Sequence, residues 1–379
     1  MPRQIIPLIE VFVEIPDFRK NRGKRHALPA ILALACAAVL CGARSYSAIA
    51  DWGRNYGRAL AKALGFTHEK TPCAATLYTV FCHLDVELFE NRLQQWAEQV
   101  LAAYPPRQDQ DEAIAIDGKT QRGSKKQGAP GTHLLSALSH RLGLTLAQLA
   151  VDDKTNETFA IEDLLDVLVL KGRIVTVDAL HTQRFIAQTI LDWEADYVMI
   201  VKENHPEMLA DIELLFQELA VVADTVTKAE SVDAGHGRIE RRQLVASTAL
   251  ADYLNWPGLQ QVFRLERTVT IKKTGKQRHE VVFGMTSLAP DKTDAAHLLR
   301  LVRHHWHIEN KSHWVRDVTF DEDRSQVRRG SIPQMMAALR NVAIGLIRLT
   351  GQKNIAAATR RFAAQPWAAV ALLGIKCEN

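Results

Sequence analysis

The sequence predicts an α/β fold, a mixed sheet covered by helices, preceded by a helical N-terminal domain and followed by a helical tail. Three features predict it. Residues 1 to about 105 place apolar side chains at helical spacing until Pro105 and Pro106 interrupt the pattern. The chain then switches to short apolar runs separated by Gly-rich or polar turns. Finally, those runs alternate with amphipathic segments in the order β-β-β-α-β-α-β, the pattern of a meander continued by crossover helices.

The N-terminal helices are carried by Leu28 to Leu40, by AIADWGRNYGRALAKALG and by ELFENRLQQWAEQVLAAY. The run from Ala27 to Ala43 is apolar, but it is Ala-rich, contains Pro29 and is short for a bilayer span, so a buried helix is expected. The opening MPRQIIPLIEVFVEIPDFRK lacks a basic start with an immediate apolar core, so export is not expected and the cytoplasm is. Three strands follow, in EAIAIDGKT, THLLSALSH and LTLAQLAVDDK. Next come a helix in NETFAIEDLLDVL, a strand in RIVTVDALH, a helix around RFIAQTILDW and a strand in ADYVMIVKEN. This is the layout of a ribonuclease H-like domain. From Val226 to Leu288 the strand pattern returns, clearest in VFRLERTVTIKK and HEVVFGMTSL, and predicts a β-rich insertion. One long helix is then expected from Asp294 through HLLRLVRHHWHIENKSHWVRDV. The expected domains are therefore residues 1–105, a catalytic domain over 106–325 with its insertion at about 226–290, and a C-terminal tail over 326–379.

Lys and Arg outnumber Asp and Glu by 47 to 43, so any affinity for nucleic acid must come from where the cations sit rather than from net charge. The five cysteines form no CxxC pair and no metal-clip spacing, which fits reduced thiols.

Asp117 follows the apolar run AIAI, and Asp178 follows IVTV in the same way. Both should stand at strand ends, where open sheets with crossovers collect ligands. Paired carboxylates there suit hard cations that also take phosphate oxygens. An aspartate in such a place also caps turns or helices, and each alone permits that reading. Glu309, in WHIEN, shares a helical face with Val302, His305, His313 and Arg316 at spacings of four and seven, a polar and partly cationic stripe that would suit phosphate. The same spacing leaves open a zinc site of His305, Glu309 and His313. The absence of an HExxH segment and the unaligned His304 and His307 count against that site.

The blocks IDGKT with the nearby RGS, VDALHTQ, YVMIVKEN and HHWHIENKSHWVRDVTFDED resemble, in order, the motifs of the H-repeat-associated transposases, a branch of the DDE insertion-sequence transposases. Upstream, DFRKNRGKRHALPAILALACAAVLCGARSYSAIADW is similar to the helical segment that precedes their catalytic domain, so the likeness covers nearly the whole chain. It implies a ribonuclease H-like core, a β-strand insertion between the second and third acids, and metal-holding residues at Asp117, Asp178 and Glu309. The wider class carries Y-x2-R-x3-E-x6-K, and here those positions are Val302, His305, Glu309 and Arg316, so only the glutamate is kept. Arg316 can stand in for lysine at a phosphate, whereas His305 is a weaker substitute. Trp306 is either a core residue or, as in some relatives, a platform for a flipped base.

The activity so implied is cleavage at the ends of a mobile element followed by strand transfer into target DNA, with two Mg²⁺ or Mn²⁺ ions and a homodimer on DNA. Phosphates would be held by cations in three clusters: Arg19, Lys20, Arg22, Lys24 and Arg25; Lys119, Arg122, Lys125 and Lys126; and Arg324, Arg328 and Arg329. Solvated surface is the plain alternative for each cluster. Lys202 and Asn204, ending the strand after the second acid's helix, could orient phosphate, with turn formation the alternative for Asn204. A metal-dependent nuclease on the same fold and a non-cutting DNA-binding derivative are the alternative functions.

Overall fold

In the computed structural model, residues 5–21, 24–107, 110–125, 130–151, 157–218 and 223–376 are described. Five helices come first: α1 (Leu8–Val13), α2 (Leu28–Leu40), α3 (Tyr46–Ala63), α4 (Ala74–His83) and α5 (Val86–Ala103). The strands β1 (Ala113–Thr120), β2 (His133–Ser139) and β3 (Thr145–Val151) follow. After them come α6 (Glu157–Asp166), β4 (Ile174–Val177), α7 (Arg184–Asp192), β5 (Asp196–Val201) and α8 (Pro206–Gln217). Four long strands succeed these: β6 (Val226–Gly235), β7 (Arg238–Ser247), β8 (Gln261–Ile271) and β9 (Gln277–Thr286). The chain ends in α9 (Ala295–His305), a π-helical turn (Ile308–His313), α10 (Trp314–Val318), α11 (Ile332–Leu349), α12 (Ile355–Ala364) and α13 (Pro366–Leu372).

The expected β-β-β-α-β-α-β order is present from β1 to β5. One sheet carries all nine strands in the order β3-β2-β1-β4-β5-β9-β8-β7-β6, and it is mixed: β4 runs parallel to β1 and to β5, whereas β9 is antiparallel to β5. The central strands explain their own sequence. Ala113 to Ile116 and Ile174 to Val177 are buried throughout, as parallel strands with both faces covered must be, and so they read as continuous apolar runs rather than alternating ones.

The chain divides into two compact units, one of Met1–Arg107, Gly118–Ala160 and Ile308–Asn379, the other of Gln108–Asp117 and Ile161–His307. In the first, α2 is apolar on every side and buried from Ala30 to Leu40, packed against α1, α3 and α11. The buried helix predicted there is present, and among the described residues no helix is long and apolar enough to cross a membrane. Ser45 and Asp85 cap α3 and α5 by accepting from the Ala48 and Leu88 amides. The expected C-terminal tail differs from what is observed. Residues Ile332 to Ile347 of α11 are all buried, and α11 packs on α2, α4, α5 and β3, so it is a central core helix.

In the second unit, Leu298, Leu301 and Val302 of α9 pack with Leu244, Ala246 and Phe263 of the long strands. The β-rich insertion is built of two hairpins, β6–β7 and β8–β9, joined edge to edge. A second correction concerns the long helix expected from Asp294. It ends at His305, and a π-helical turn and the five-residue α10 take its place. The stretch His304 to His313 is rich in His, Trp, Asn and Ser, weak helix formers that let the backbone depart from α geometry.

Candidate active site

The two aspartates are brought together by strand register. In the parallel pair β1–β4 the last matched residues are Ile116 and Val177, so Asp117 and Asp178 are the next residues along the two; Asp178 follows the end of β4, whereas Asp117 lies inside β1, which runs on to Thr120, so the strand end expected at Asp117 is not observed. Adjacent strands lie about 4.8 Å apart, which sets the spacing of the two backbones. Both residues are half-buried, at the limit of the buried apolar runs that precede them. At Gly118, which follows, a Cβ would lie 2.6 Å from His133 Nε2 and closer still to Glu157 Oε1, so those two side-chain ends would have to shift to admit one.

Asp178 is held on one side only. Its Oδ1 accepts from the Leu180 amide at 3.1 Å, the His181 amide at 3.3 Å and His181 Nδ1 at 3.1 Å. The turn-capping role open to such an aspartate is thus real, but it occupies one oxygen and leaves Oδ2 outside the cap. Burial opposes charge on this carboxyl, yet the His181 ring and amide, with His305 nearby, hold it below the usual carboxylate range. His181 itself is fully buried. The loop beyond is tied down by Thr182, whose hydroxyl donates to Ile200 O at 2.7 Å, and by His205 Nε2, which lies 2.6 Å from Thr182 O.

Two further residues take clear positions near Asp178. His305 Nδ1 lies 3.0 Å from Thr176 Oγ1, two residues before Asp178 on β4, and burial pushes the imidazole down to about 4. A ring so enclosed and neutral is no cation for phosphate. Asn204 donates to Ala179 O at 2.8 Å, the turn-forming alternative. Trp306 is 54% exposed, which excludes a core role, and its ring meets His305 edge-on at 6.3 Å. Glu309 is exposed in the π-helical turn. His305, Glu309 and His313 therefore no longer share one face of an α-helix, and the zinc reading loses the continuous helix on which it rests. Among the described residues no three Asp, Glu, His or Cys side chains are gathered to hold a metal ion.

Over residues 108–346 the chain matches the transposase DDE domain family, and over 9–97 it matches the DDE_Tnp_1-associated family. The chain belongs to the DDE transposase family. A putative transposase, YncI, of Escherichia coli O157:H7 is 31% identical over 349 residues, 90% of this chain and 87% of its own length. The H repeat-associated putative transposase YhhI of Escherichia coli K12 is 30% identical, covering 93% of each chain. A piggyBac transposase synaptic complex with hairpin DNA is similar at TM-score 0.42 and 10% identity, covering 98% of this chain and 77% of that one, too loose a likeness to carry structural detail.

For a DDE-family chain, the cations expected on DNA divide into two kinds. Lys119 is one tenth exposed, with its ammonium 2.7 Å from Asp317 and 3.7 Å from Asp323. Arg316 is fully buried against Glu322 at 2.7 Å, and Arg340 lies equally close to the other oxygen of the same carboxylate. Lys119 and Arg316 therefore hold the fold rather than a phosphate. Arg19 is likewise nearly buried, bound to Asp17 and to His26 O. Arg122 and Arg324 remain more than four fifths exposed, only loosely paired with Asp323 and Asp321 at 3.8 and 3.7 Å, and Lys125 and Lys202 are exposed. Arg22 and Lys126 lie outside the described residues.

Sequence reasoning missed His181, Thr176 and the Glu322–Arg340 pair. The Asp-x-x-His spacing in DALH was the available signal for His181, since a turn after a strand brings residue i+3 back to the carboxylate.

Proposed function

We propose that this chain cuts phosphodiester bonds at the ends of a mobile DNA element and joins the freed 3′ ends to target DNA, with Asp117, Asp178 and Glu309 as its acidic residues. The observation that carries the reading is the register of β1 and β4, which makes Asp117 and Asp178 the adjoining residues where the pairing of those two strands stops. The strand order β3-β2-β1-β4-β5, with β4 parallel to both its neighbours, supports a ribonuclease H-like core. Glu309 joins the proposal through the family motif around it and its place just beyond α9.

The two aspartates fit a hard divalent ion by their chemistry, with Glu309 not gathered to them. Asp178 is kept ionised with Oδ2 outside its cap, and carboxylate oxygens suit Mg²⁺ or Mn²⁺ better than zinc. Bound ions of this kind lower the pKa of an attacking oxygen and offset charge on phosphate. Of this chain's own groups, Asp117 and Asp178 would hold the ions, and His181 fixes the rotamer of Asp178. Arg122, Lys125, Lys202 and Arg324 are the exposed cations proposed for the DNA backbone, and Trp306 offers an exposed ring on which a base can stack. A homodimer on DNA, in a cytoplasmic setting, completes the reading.

The test incubates the purified chain with duplexes carrying the sequences that flank its own gene, with Mg²⁺, and maps strand breaks. Joined products support strand transfer. Breaks without joining would make the chain a plain nuclease, and binding without breaks in Mg²⁺ or Mn²⁺ would make it a non-cutting derivative.

A further inference from the structure

The four-stranded insertion ends in a cationic tip separate from the acidic residues. Strand β5 pairs with β9 only from Phe283 to Thr286, so Gln277 to Val282, and the lengths of β8, β7 and β6 that follow in register, extend beyond β5. Six residues of antiparallel strand make an overhang of about 20 Å. Its outer end is made of the turn from Lys272 to Lys276, with Gly275 at φ 66°, and the adjoining turn at His236 and Gly237. The two turns are stitched together where the Lys272 amide donates to Gly237 O at 2.8 Å.

Charge is distributed unevenly along this arm. On its body the arginines are matched: Arg241 with Glu230, Arg242 with Asp233 and Glu240, and Arg267 with Glu240 and Glu280. At the tip, Lys272, Lys273, Lys276 and Arg278 are all exposed, and among the described residues none has an acid within ion-pair distance. A merely solvated hairpin would gain by interspersing acids there, as the body does; four unmatched cations in seven residues instead raise a local positive potential at the end of a projecting ribbon. Such a tip suits a regular array of phosphates along a duplex.

We infer that the tip of the β8–β9 hairpin is a docking surface for the phosphate backbone of duplex DNA, contacted through Lys272, Lys273, Lys276 and Arg278. The inference rests on the proposed action on DNA but concerns a surface distinct from the acidic residues. The contacts are to backbone, so they add affinity without sequence preference.

The experiment measures binding of the full chain to two duplexes, one with the element-flanking sequence and one unrelated, over a series of salt concentrations. The variant K272A/K273A/K276A/R278A removes four exposed side chains, and a thermal melt confirms that it remains folded. Loss of four phosphate contacts should lower the slope of log K against log salt by about 3 to 4, for both duplexes alike. The charge-keeping variant K272R/K273R/K276R/R278K should bind as the parent does. An unchanged slope in the alanine variant, with the parent still binding both duplexes, overturns the docking surface and leaves the proposed activity standing. A parent chain that binds neither duplex overturns both. A loss confined to the element-flanking duplex would also overturn it, since backbone contacts cannot discriminate.

Discussion

His181 Nδ1 lies 3.1 Å from Asp178 Oδ1, on a ring with 1% of its side chain exposed. The ring is therefore locked by packing, and the carboxylate it meets is locked in turn. Groups that orient a metal-holding carboxylate in this way typically matter by about ten- to a hundredfold in affinity. His181→Ala should weaken Mn²⁺ binding by about tenfold, read by the electron paramagnetic resonance of the free ion. His181→Asn can place an amide N–H near the Nδ1 position and should recover much of the loss. Equal Mn²⁺ affinity in the parent and the alanine variant would remove His181 from this role.

Because Asp178 both caps a turn and offers a free oxygen, its two roles separate by substitution. Asp178→Asn keeps an acceptor for the Leu180 and His181 amides but loses the charge, so divalent-ion binding and strand cleavage should vanish while the melting temperature stays near the parent's. Asp178→Ala should lose the cap as well, costing about 1 kcal/mol of stability. A fully active asparagine variant would dismiss the carboxylate.

The central strands were legible because their physics is local: AIAI and IVTV are apolar throughout and each is followed by Asp, although only the second ends its strand there. Their register was not written in either run alone, yet it is register that makes Asp117 and Asp178 neighbours. The helix beyond Asp294 misled for the opposite reason. Its i, i+4 pattern continues through Arg316, but a π-helical turn intervenes, so residues placed on one face by counting are not on one. Arg316 read as a phosphate contact because charge suggests solvent. Its partner Glu322 lies six residues on, at a spacing no helix periodicity flags, and Arg340 lies eighteen further.

That buried trio governs acid stability. Burial alone would raise Glu322, but Arg316 and Arg340 outweigh it and hold the carboxyl down at about 2, against 4.5 for the unperturbed group. A depressed carboxyl stabilises the fold fully above its unfolded pKa, and the contribution fades as pH falls from about 4.5 to about 2. Glu322→Gln should flatten the loss of stability over that window while lowering stability at pH 7 by about 3 to 5 kcal/mol, since two buried guanidinium groups lose their counter-charge. Denaturant melts at pH 3, 5 and 7 measure both effects. An unchanged acid limb would show that other carboxylates control it.

Glu90, in the first unit, should act in the opposite sense. Its oxygens accept from Gln148 Nε2 at 2.6 Å and Gln334 Nε2 at 2.8 Å, while Asn341 Nδ2 donates to Gln148 Oε1 at 2.8 Å. Burial dominates, raising the carboxyl from 4.5 to about 8, although the two amide donors favour the charged form. Between these two values the folded chain holds a proton that the unfolded chain releases, so stability must fall as pH rises from about 4.5 to about 8 and level off above. Glu90→Gln removes the titration, and the decline over that window should disappear. The substitution has a cost of its own: its –NH₂ must face one of the two donating amides, so Gln334 or Gln148 must turn to present oxygen. Turning Gln148 would break the bond from Asn341, so Gln334 is the one expected to rotate, and the variant should be less stable than the parent at pH 5 but closer to it, or above it, at pH 8. Thermal melts of both chains at pH 5, 6.5 and 8 decide the matter. Parallel pH profiles would mean that Glu90 stays charged on folding and that the two amide bonds outweigh its burial.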